Sequence, residues 1–397
     1  MTFPATFLWG AATAPHQIEG NNTDSDWWLS EQLVPGLERS GDAVDGYHRY
    51  PEDMRLLAEA GLNAYRFGVE WARVEPTPGH FSRASLAHYR RMIDTALALG
   101  LTPVVTLHHF TNPRWFAERG GWMADDAIDR FAGYVREVTA ILDGVEWVCT
   151  INEPNMLAVM VAMSRAAQAG DVEKWTTPTI EGETRPPLPE VGPEIGRRLA
   201  EAHHAAREIV RKHTGAAVGW TVANQALTPT PGNEAKLREV RYLREDLYLE
   251  AARGDDFIGV QSYTSQPVDE NGVVPHPPSP DNTQTGFAYR PDALGIAVRH
   301  TWEVTGGIPI LVTENGIATA DDSRRIAYTS EALRHLSQAM DDGIDVRGYL
   351  HWSALDNFEW GSWEPTFGLI GVDRETFERH PKPSLSWLGH VARHGRL

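Results

Sequence analysis

An apolar run of strand-forming residues ends abruptly in a carboxylate, an amide and a glycine in the stretch Ile308-Pro309-Ile310-Leu311-Val312-Thr313-Glu314-Asn315-Gly316. A run without polar interruptions is typical of a strand that is buried on both faces, as in a parallel sheet. Glu314 would therefore lie at the polar tip of a buried strand. A glutamate in this place can cap a helix, pair with an arginine or serve catalysis, and the stretch alone does not separate these roles.

Seven further apolar runs of similar length lie along the chain, and a stretch with helical patterning follows each of the eight. The predicted strands are Phe7–Ala12, Asn63–Val69, Thr102–His109, Glu146–Asn152, Ala217–Ala223, Phe257–Ser262, Ile308–Glu314 and Val346–Ser353. The predicted helices are Glu52–Ala60, Ser85–Leu99, Asp125–Leu142, Pro193–His213, Asn233–Ala252, Pro291–Val304, Ser323–Asp341 and Ser384–Arg393. Eight such units predict an α/β fold in which one (β/α)₈ TIM barrel spans residues 1–397 as a single domain. The proline-rich piece Pro267–Pro280 interrupts the alternation and is predicted to be a surface loop.

Composition and charge narrow the class of protein. With 42% hydrophobic and 23% charged residues, the 397-residue chain has the make-up of an ordinary globular protein. Its net charge of −18 argues against nucleic acid and anionic membranes as partners, because both require a basic surface. The one cysteine, Cys149, allows no disulfide within the chain and lies in an apolar run, which predicts a buried thiol.

The termini and apolar runs carry no targeting signal that sequence patterns can identify. The first residues lack the basic start and apolar stretch of a signal peptide. The apolar run Met156 to Met163 is too short to cross a bilayer. A reducing, cytoplasmic location is the resulting prediction.

Functional groups of such a barrel gather at the carboxyl ends of its strands. Here those ends carry amides, carboxylates, indoles, an imidazole, a phenol and a guanidinium: Gln17, Arg66, His109, Asn152, Glu153, Gln261, Tyr263, Glu314, Trp352, Glu359 and Trp360. Amides and carboxylates bind hydroxyl groups, and tryptophan faces pack on the apolar face of a sugar ring. The set therefore favours an uncharged, polyhydroxylated ring as the ligand. Asn224, at the end of the fifth strand, is either a leaving-group contact or a loop cap.

Two of these groups are carboxylates on strands that face one another across the barrel mouth. Glu153 and Glu314 end the fourth and seventh strands. Glycoside hydrolysis uses two such carboxyls, about 5–5.5 Å apart in retaining enzymes. No metal site or cofactor is predicted, because the adjacent His108 and His109 would point to opposite faces of a strand.

Six motifs in order resemble those of glycoside hydrolase family 1, the β-glucosidase group, over essentially the whole chain. They are Phe7–Thr13 with Gln17–Gly20, Tyr65-Arg66-Phe67, Thr106–Phe110, Asn152-Glu153-Pro154, Thr313–Gly316 and Trp352–Trp360. The resemblance implies a TIM barrel that cleaves β-glycosides with retention of configuration. The chain departs from the family pattern at Phe110, where Trp is common, and at Gln261-Ser262-Tyr263, where Asn-Tyr-Tyr is usual.

The same resemblance implies roles for single residues. Glu153 would be the acid/base and Glu314 the nucleophile, with Arg66 and Tyr263 as the partners that orient the nucleophile. Hydrogen bonds to the sugar hydroxyls would come from Gln17, His109, Asn152, Glu359 and Trp360, with Trp352 as the stacking platform. The role of Gln261 stays open because of the departure at that position.

The expected function is that of a retaining exo-β-glycosidase that releases terminal β-D-glucosyl residues, with galactosyl or fucosyl residues as further substrates. Its expected partner is a small β-glycoside, and the oligomeric state is left open. A first alternative is a specialised hydrolase or transglycosidase acting on a plant or microbial glycoside. A second is a sugar-binding barrel without catalysis, which the presence of both Glu153 and Glu314 disfavours.

Overall fold

Eight parallel strands form the centre of the protein in a computed structural model that describes residues 2–168 and 191–397. The strands are β1 (Leu8–Ala12), β2 (Ala64–Gly68), β3 (Thr102–Thr106), β4 (Trp147–Asn152), β5 (Ala217–Ala223), β6 (Ile258–Gln261), β7 (Ile310–Asn315) and β8 (Val346–Trp352). Each strand pairs with its neighbours in the chain, and β8 pairs with β1 to close the barrel. The predicted (β/α)₈ fold is confirmed.

Helices follow every strand and form the outer layer. They are Gly46–Ala60, Arg83–Ala98, Ala127–Thr139, Pro193–His213, Glu234–Arg241 continued by a π-turn at Tyr242–Asp246 and by Leu247–Ala251, Ala293–Thr305, Asp322–Asp341 and Pro383–His394. All eight predicted helices are therefore present. The predicted helix Asn233–Ala252 contains the widened π-turn, which the sequence pattern did not indicate.

Further helices and strands occupy the connections. The helices among them are Pro15–Ile18, Asp26–Leu33, Trp71–Val74, Arg114–Glu118, the single turn Gly121–Met123 and Pro154–Gln168. Two small sheets are formed by Thr228–Pro229, Pro267–Asp269 and Gly272–Val273, and by Ile370–Val372 and Arg379–Pro381. The stretch Pro267–Pro280, predicted to be a loop, thus begins with two short strands, since proline is tolerated at the first residue of a strand.

The core lies inside the barrel and between the strands and the outer helices. Strands β2 and β7 are buried at every position, as the apolar run before Glu314 predicts. Cys149 is a buried free thiol, which confirms that prediction. In the part of the chain that the structure describes, no helix is long and apolar enough to cross a membrane.

Strand ends agree with the predicted ends to within two residues, with one exception. Strand β3 was predicted to reach His109 but ends at Thr106. Backbone hydrogen bonds to β4 continue through Leu107 and His108, and Phe110 then has a left-handed backbone with φ of +69°. His109 consequently lies in the loop above β3, where its ring can turn toward the barrel mouth.

Candidate active site

Glu314 lies at the end of β7 with its carboxylate enclosed by three hydrogen-bond donors. Its Oε1 accepts from Nη1 of Arg66 at 2.5 Å and from Nε2 of Gln261 at 2.8 Å. Its Oε2 accepts from the hydroxyl of Tyr263 at 2.5 Å. The side chain is only 5% exposed, and Arg66 is fully buried. Strands β2, β6 and β7 thus bring a cation, an amide and a phenol to one carboxylate, and these fix its orientation.

Asn152 belongs to the same network through its carbonyl oxygen. Oδ1 accepts from Arg66 and, at 3.0 Å and 3.1 Å, from Gln261 and from Thr221 on β5. These donors fix which way the amide points. Its Nδ2 is buried and has no partner among the described residues. A buried donor without a partner is costly unless a ligand completes it, so Nδ2 is available for a substrate hydroxyl.

Glu153 has a different environment at the end of β4. Its backbone lies in the left-handed region with φ of +42°, which is uncommon for a residue with a side chain and occurs often at functional sites. The backbone N–H donates to the carbonyl of Thr221 at 2.8 Å. Its carboxyl accepts no hydrogen bond from the residues that the structure describes. The two predicted catalytic carboxyls therefore differ sharply in their donors.

This difference separates their protonation states. Burial raises the pKa of Glu153 well above its ordinary value, and the charge of Glu314 raises it further, against a lowering effect of Arg66. Burial also raises the pKa of Glu314, but Arg66, Tyr263 and Gln261 all oppose that rise. Glu314 is therefore the first of the two to ionise, and its charge then keeps the proton on Glu153.

A second cluster joins the short helix Pro15–Ile18, which follows β1, to the loop after β8. Nε2 of Gln17 donates to Asn357 at 2.8 Å and lies 3.3 Å from Oε2 of Glu359. The indole of Trp352 donates to Oε1 of Glu359 at 3.2 Å. Burial raises the pKa of Glu359 to about 8, although the hydrogen bond from Trp352 lowers it. Oε1 of Gln17 is buried without a partner in the described residues, so both Gln17 and Glu359 retain capacity for a ligand's hydroxyls.

Aromatic rings complete the rim of the barrel mouth around these two clusters. The ring of His109 lies 6.0 Å from that of Trp352 and 6.1 Å from that of Trp360, stacked on each with interplanar angles of 25° and 19°. Trp27 and Phe110 meet Trp360 edge-on. Burial and the charge of Arg66 lower the pKa of His109 well below its ordinary value, so its imidazole is neutral at pH 7. A neutral imidazole between indoles can accept or donate one hydrogen bond to a sugar.

The two residues whose roles the sequence left open, Gln261 and Asn224, have different hydrogen-bond partners. Gln261, whose role was left open, donates to both Glu314 and Asn152 and thus joins the two. Asn224 instead donates its amide to Thr301 on the outer helix Ala293–Thr305, at 3.2 Å. That contact joins Asn224 to the outer layer, and its Oδ1 is buried without a partner in the described residues, so the leaving-group contact and the loop cap both stay open. Sequence reasoning missed Thr221, because a threonine within an apolar strand gives no signal that it faces a polar network.

The histidine pair does not form a joint ligand site. Nε2 of His108 faces Asn112 at 3.0 Å, and its ring packs edge-on against Trp122, whereas His109 faces the indoles of the rim. Within residues 2–168 and 191–397, no group of three or more His, Cys, Asp or Glu side chains is arranged to hold a metal ion.

Comparison with known proteins places these features in a family. The model of Glycosyl hydrolase family 1 matches residues 1–241 and 252–396. Thermostable beta-glucosidase B of Thermobispora bispora is 31% identical over 446 aligned residues, covering 100% of this chain and 92% of that protein. A bifunctional beta-D-glucosidase/beta-D-fucosidase of Bifidobacterium breve is 29% identical, covering 98% and 97% of the two chains.

Solved structures agree. The beta-glycosidase BGL167 superposes with a TM-score of 0.88 at 43% identity, covering 100% of this chain and 98% of its own. The beta-glucosidase from Thermotoga maritima in complex with glucoimidazole has a TM-score of 0.86 at 26% identity, with both chains covered completely. Because the family model matches nearly the whole chain and the relatives are covered almost end to end, the chain belongs to glycosyl hydrolase family 1 and is a glycoside hydrolase.

Proposed function

We propose that this protein is a retaining exo-β-glycosidase that removes terminal β-D-glucosyl residues from small glycosides by double displacement within one barrel domain. The observation that carries the proposal is the contrast between two carboxyls at the ends of β4 and β7. Glu314 accepts hydrogen bonds from three donors that favour its ionised form, whereas the carboxyl of Glu153 accepts none from the described residues and its burial favours the protonated form. An oriented anion beside a neutral acid is the pair that a retaining mechanism requires.

In the first step, a carboxylate oxygen of Glu314 forms a bond to the anomeric carbon while the bond from that carbon to the leaving-group oxygen breaks. Glu153 donates its proton to the departing oxygen. The free Nδ2 of Asn152 is placed to bind the 2-hydroxyl. That hydrogen bond strengthens as the ring becomes oxocarbenium-like, so it stabilises the transition state more than the substrate.

In the second step, Glu153 changes role because its surroundings change. Once Glu314 is esterified it has lost its charge, and the electrostatic contribution that raises the pKa of Glu153 disappears. Glu153, now ionised, removes a proton from the incoming water. The water oxygen bonds to the anomeric carbon, the ester bond to Glu314 breaks, and the sugar leaves with its original configuration.

The residues that close one end of the site support both the identity of the released sugar and exo cleavage. Gln17 is fully buried, and together with Glu359 and Trp352 it would enclose the outer hydroxyls of one terminal sugar. This supports exo cleavage of a glucosyl residue. The Bifidobacterium breve relative, named for both glucosidase and fucosidase activities, supports fucosyl residues as further substrates. The free thiol of Cys149 suits a reducing, cytoplasmic setting.

The stereochemical outcome tests this proposal. Proton NMR of the sugar released from an aryl β-glucoside, recorded before mutarotation, is expected to show the β-anomer first. Early appearance of the α-anomer would contradict a double displacement. A specialised transglycosidase is distinguished in the same sample by adding an acceptor alcohol, because a transfer product would then dominate over free sugar.

Discrimination against phosphorylated sugars follows from the charge of Glu359. The segment Gly361–Phe367 supplies no basic residue to offset it. Placing a 6-phosphate beside an ionised carboxylate costs several kcal/mol, so above about pH 8 kcat/KM is expected to be lower by about 100-fold or more for the 6-phosphate of an aryl β-glucoside than for the plain glucoside. Burial raises the pKa of Glu359 to about 8, so the discrimination should widen as the pH rises through that value and the carboxyl ionises.

The matched variant is Glu359→Gln, which keeps the size of the side chain and removes its charge. The ratio between the two substrates is expected to shrink in this variant and to lose its dependence on pH, even though overall activity falls. A wild-type protein that cleaves the 6-phosphate faster than the plain glucoside would contradict the prediction.

A further inference from the structure

Asn155, two residues after Glu153, ties the end of β4 to the end of β5. It is 5% exposed. Its Oδ1 accepts from the backbone N–H of Ala223 at 3.2 Å, and its Nδ2 donates to the carbonyl of Ala223 at 2.8 Å. The amide thus pairs with both backbone groups of one residue, as a neighbouring strand would. The pairing of β4 with β5 is in this way extended by a side chain beyond the last residue of β4.

The backbone at this point requires such support. The ladder between β4 and β5 shifts register between Cys149 and Asn152, and the next residue, Glu153, has a left-handed φ of +42°. The carboxyl of Glu153 accepts no hydrogen bond from the described residues, in contrast to that of Glu314. The position of Glu153 therefore depends on its backbone, which is bonded to Thr221 at the residue itself and to Ala223 through Asn155.

The same amide also contacts the π-turn Tyr242–Asp246. Nδ2 of Asn155 donates to the carbonyl of Arg244 at 2.8 Å. In this turn the buried Glu245 accepts from the backbone N–H of Gln225 at 2.7 Å through Oε1. The π-turn therefore contacts both the segment after β4 and the segment after β5. Widened turns of this kind are rare and occur frequently at functional sites.

We propose that Asn155 is a positioning residue that holds Glu153 in line with the leaving-group oxygen, with the π-turn Tyr242–Asp246 as its support; the inference rests on the acid/base role of Glu153 proposed above. Asn155 touches the backbone and not the substrate, so its effect is on the alignment of proton transfer. A misplacement of about 1 Å can lower a rate by roughly 100-fold. Only reactions that need the proton should suffer this loss.

A series of aryl β-glucosides with leaving groups of increasing pKa tests the proposal. A 2,4-dinitrophenolate departs without protonation, whereas a phenolate or alkoxide needs the acid. Asn155→Ala is expected to retain kcat/KM within a few-fold for the dinitrophenyl substrate and to lose about 100-fold for phenyl and alkyl glucosides, within the range that general acid catalysis supplies. The plot of log kcat/KM against leaving-group pKa should therefore become steeper than in the wild-type protein.

The control is Thr150→Val, which removes the buried hydrogen bond of β4 to His203, of 2.7 Å, on the outer side of the same strand. This variant is expected to unfold at a lower temperature with an unchanged slope. Glu245→Ala is the second variant, for use if Asn155→Ala does not fold; it removes the contact to Gln225 and should steepen the slope in the same direction.

The reference variant Glu153→Gln distinguishes the positioning role of Asn155 from the acid/base role of Glu153. An equal loss for all leaving groups in Asn155→Ala, together with a steep slope in Glu153→Gln, would overturn the positioning role alone. An equal loss for all leaving groups in both variants would overturn the acid/base role of Glu153 and the inference with it.

Discussion

Glu314→Ala is expected to lower kcat on an aryl β-glucoside by a factor on the order of 10⁶, the scale of loss seen when a covalent nucleophile is removed. Without Glu314 no bond to the anomeric carbon can form from the protein. The smaller side chain leaves room for an external anion on that face of the sugar. Sodium azide should therefore restore turnover, and the product should be the α-glucosyl azide, formed by one displacement.

Recovery by azide is also the control for folding, because a misfolded variant could not be rescued. The variant should nevertheless be less stable than the wild-type protein, since Arg66 is fully buried and would lose its ionised partner. Its unfolding midpoint is expected to fall. Substantial activity without azide would contradict the nucleophilic role of Glu314.

Glu153→Ala is expected to affect the two steps differently. With a dinitrophenyl leaving group, the glycosyl-enzyme still forms, but water attacks it without a base, so kcat should fall by about 10²–10⁴-fold and KM should fall with it. Azide needs no base and should restore kcat. Its product should be the β-glucosyl azide, the opposite anomer to that from Glu314→Ala.

The pH profile distinguishes the two carboxyls as well. The proposed mechanism requires Glu314 to be ionised and Glu153 to be protonated. Because burial and the charge of Glu314 raise the pKa of Glu153, activity should be lost only as the pH rises through that elevated value. This alkaline limb of kcat/KM, measured in both proteins with a phenyl glucoside whose leaving group needs the acid, should disappear in Glu153→Ala. Its persistence would assign the limb to another group.

The barrel could be predicted because each strand has a local sequence pattern that identifies it. Apolar runs such as Ile308–Glu314 are short, β-rich and bounded by turn residues, and eight of them admit few other arrangements. The exception is β3, which ends at Thr106, and the chain then turns at Phe110 with a positive φ, a conformation that the sequence does not indicate at a phenylalanine. The sequence also did not indicate the π-turn Tyr242–Asp246, because the helical periodicity continues across it.

The candidate site was predictable only in part. Glu153, Glu314 and the neighbours predicted to bind the sugar lie in short motifs whose positions at strand ends fix where they meet. Thr221 and Asn155 were missed, although one orients Asn152 and the other joins β4 to β5. Their hydrogen-bond partners lie 69 and 68 residues away along the chain. Contacts of that kind exist only once the barrel has closed, so no local pattern records them.

Trapping the intermediate tests the central claim most directly. A 2-deoxy-2-fluoro-β-glucoside with a dinitrophenyl leaving group slows both steps by destabilising the oxocarbenium-like transition states, while the good leaving group keeps the first step faster than the second. Mass spectrometry of the treated protein is predicted to show one fluoroglucosyl group per chain, carried on the peptide that contains Glu314. An unmodified protein that still turns over glucosides, or a label on any other residue, would contradict a covalent mechanism through Glu314.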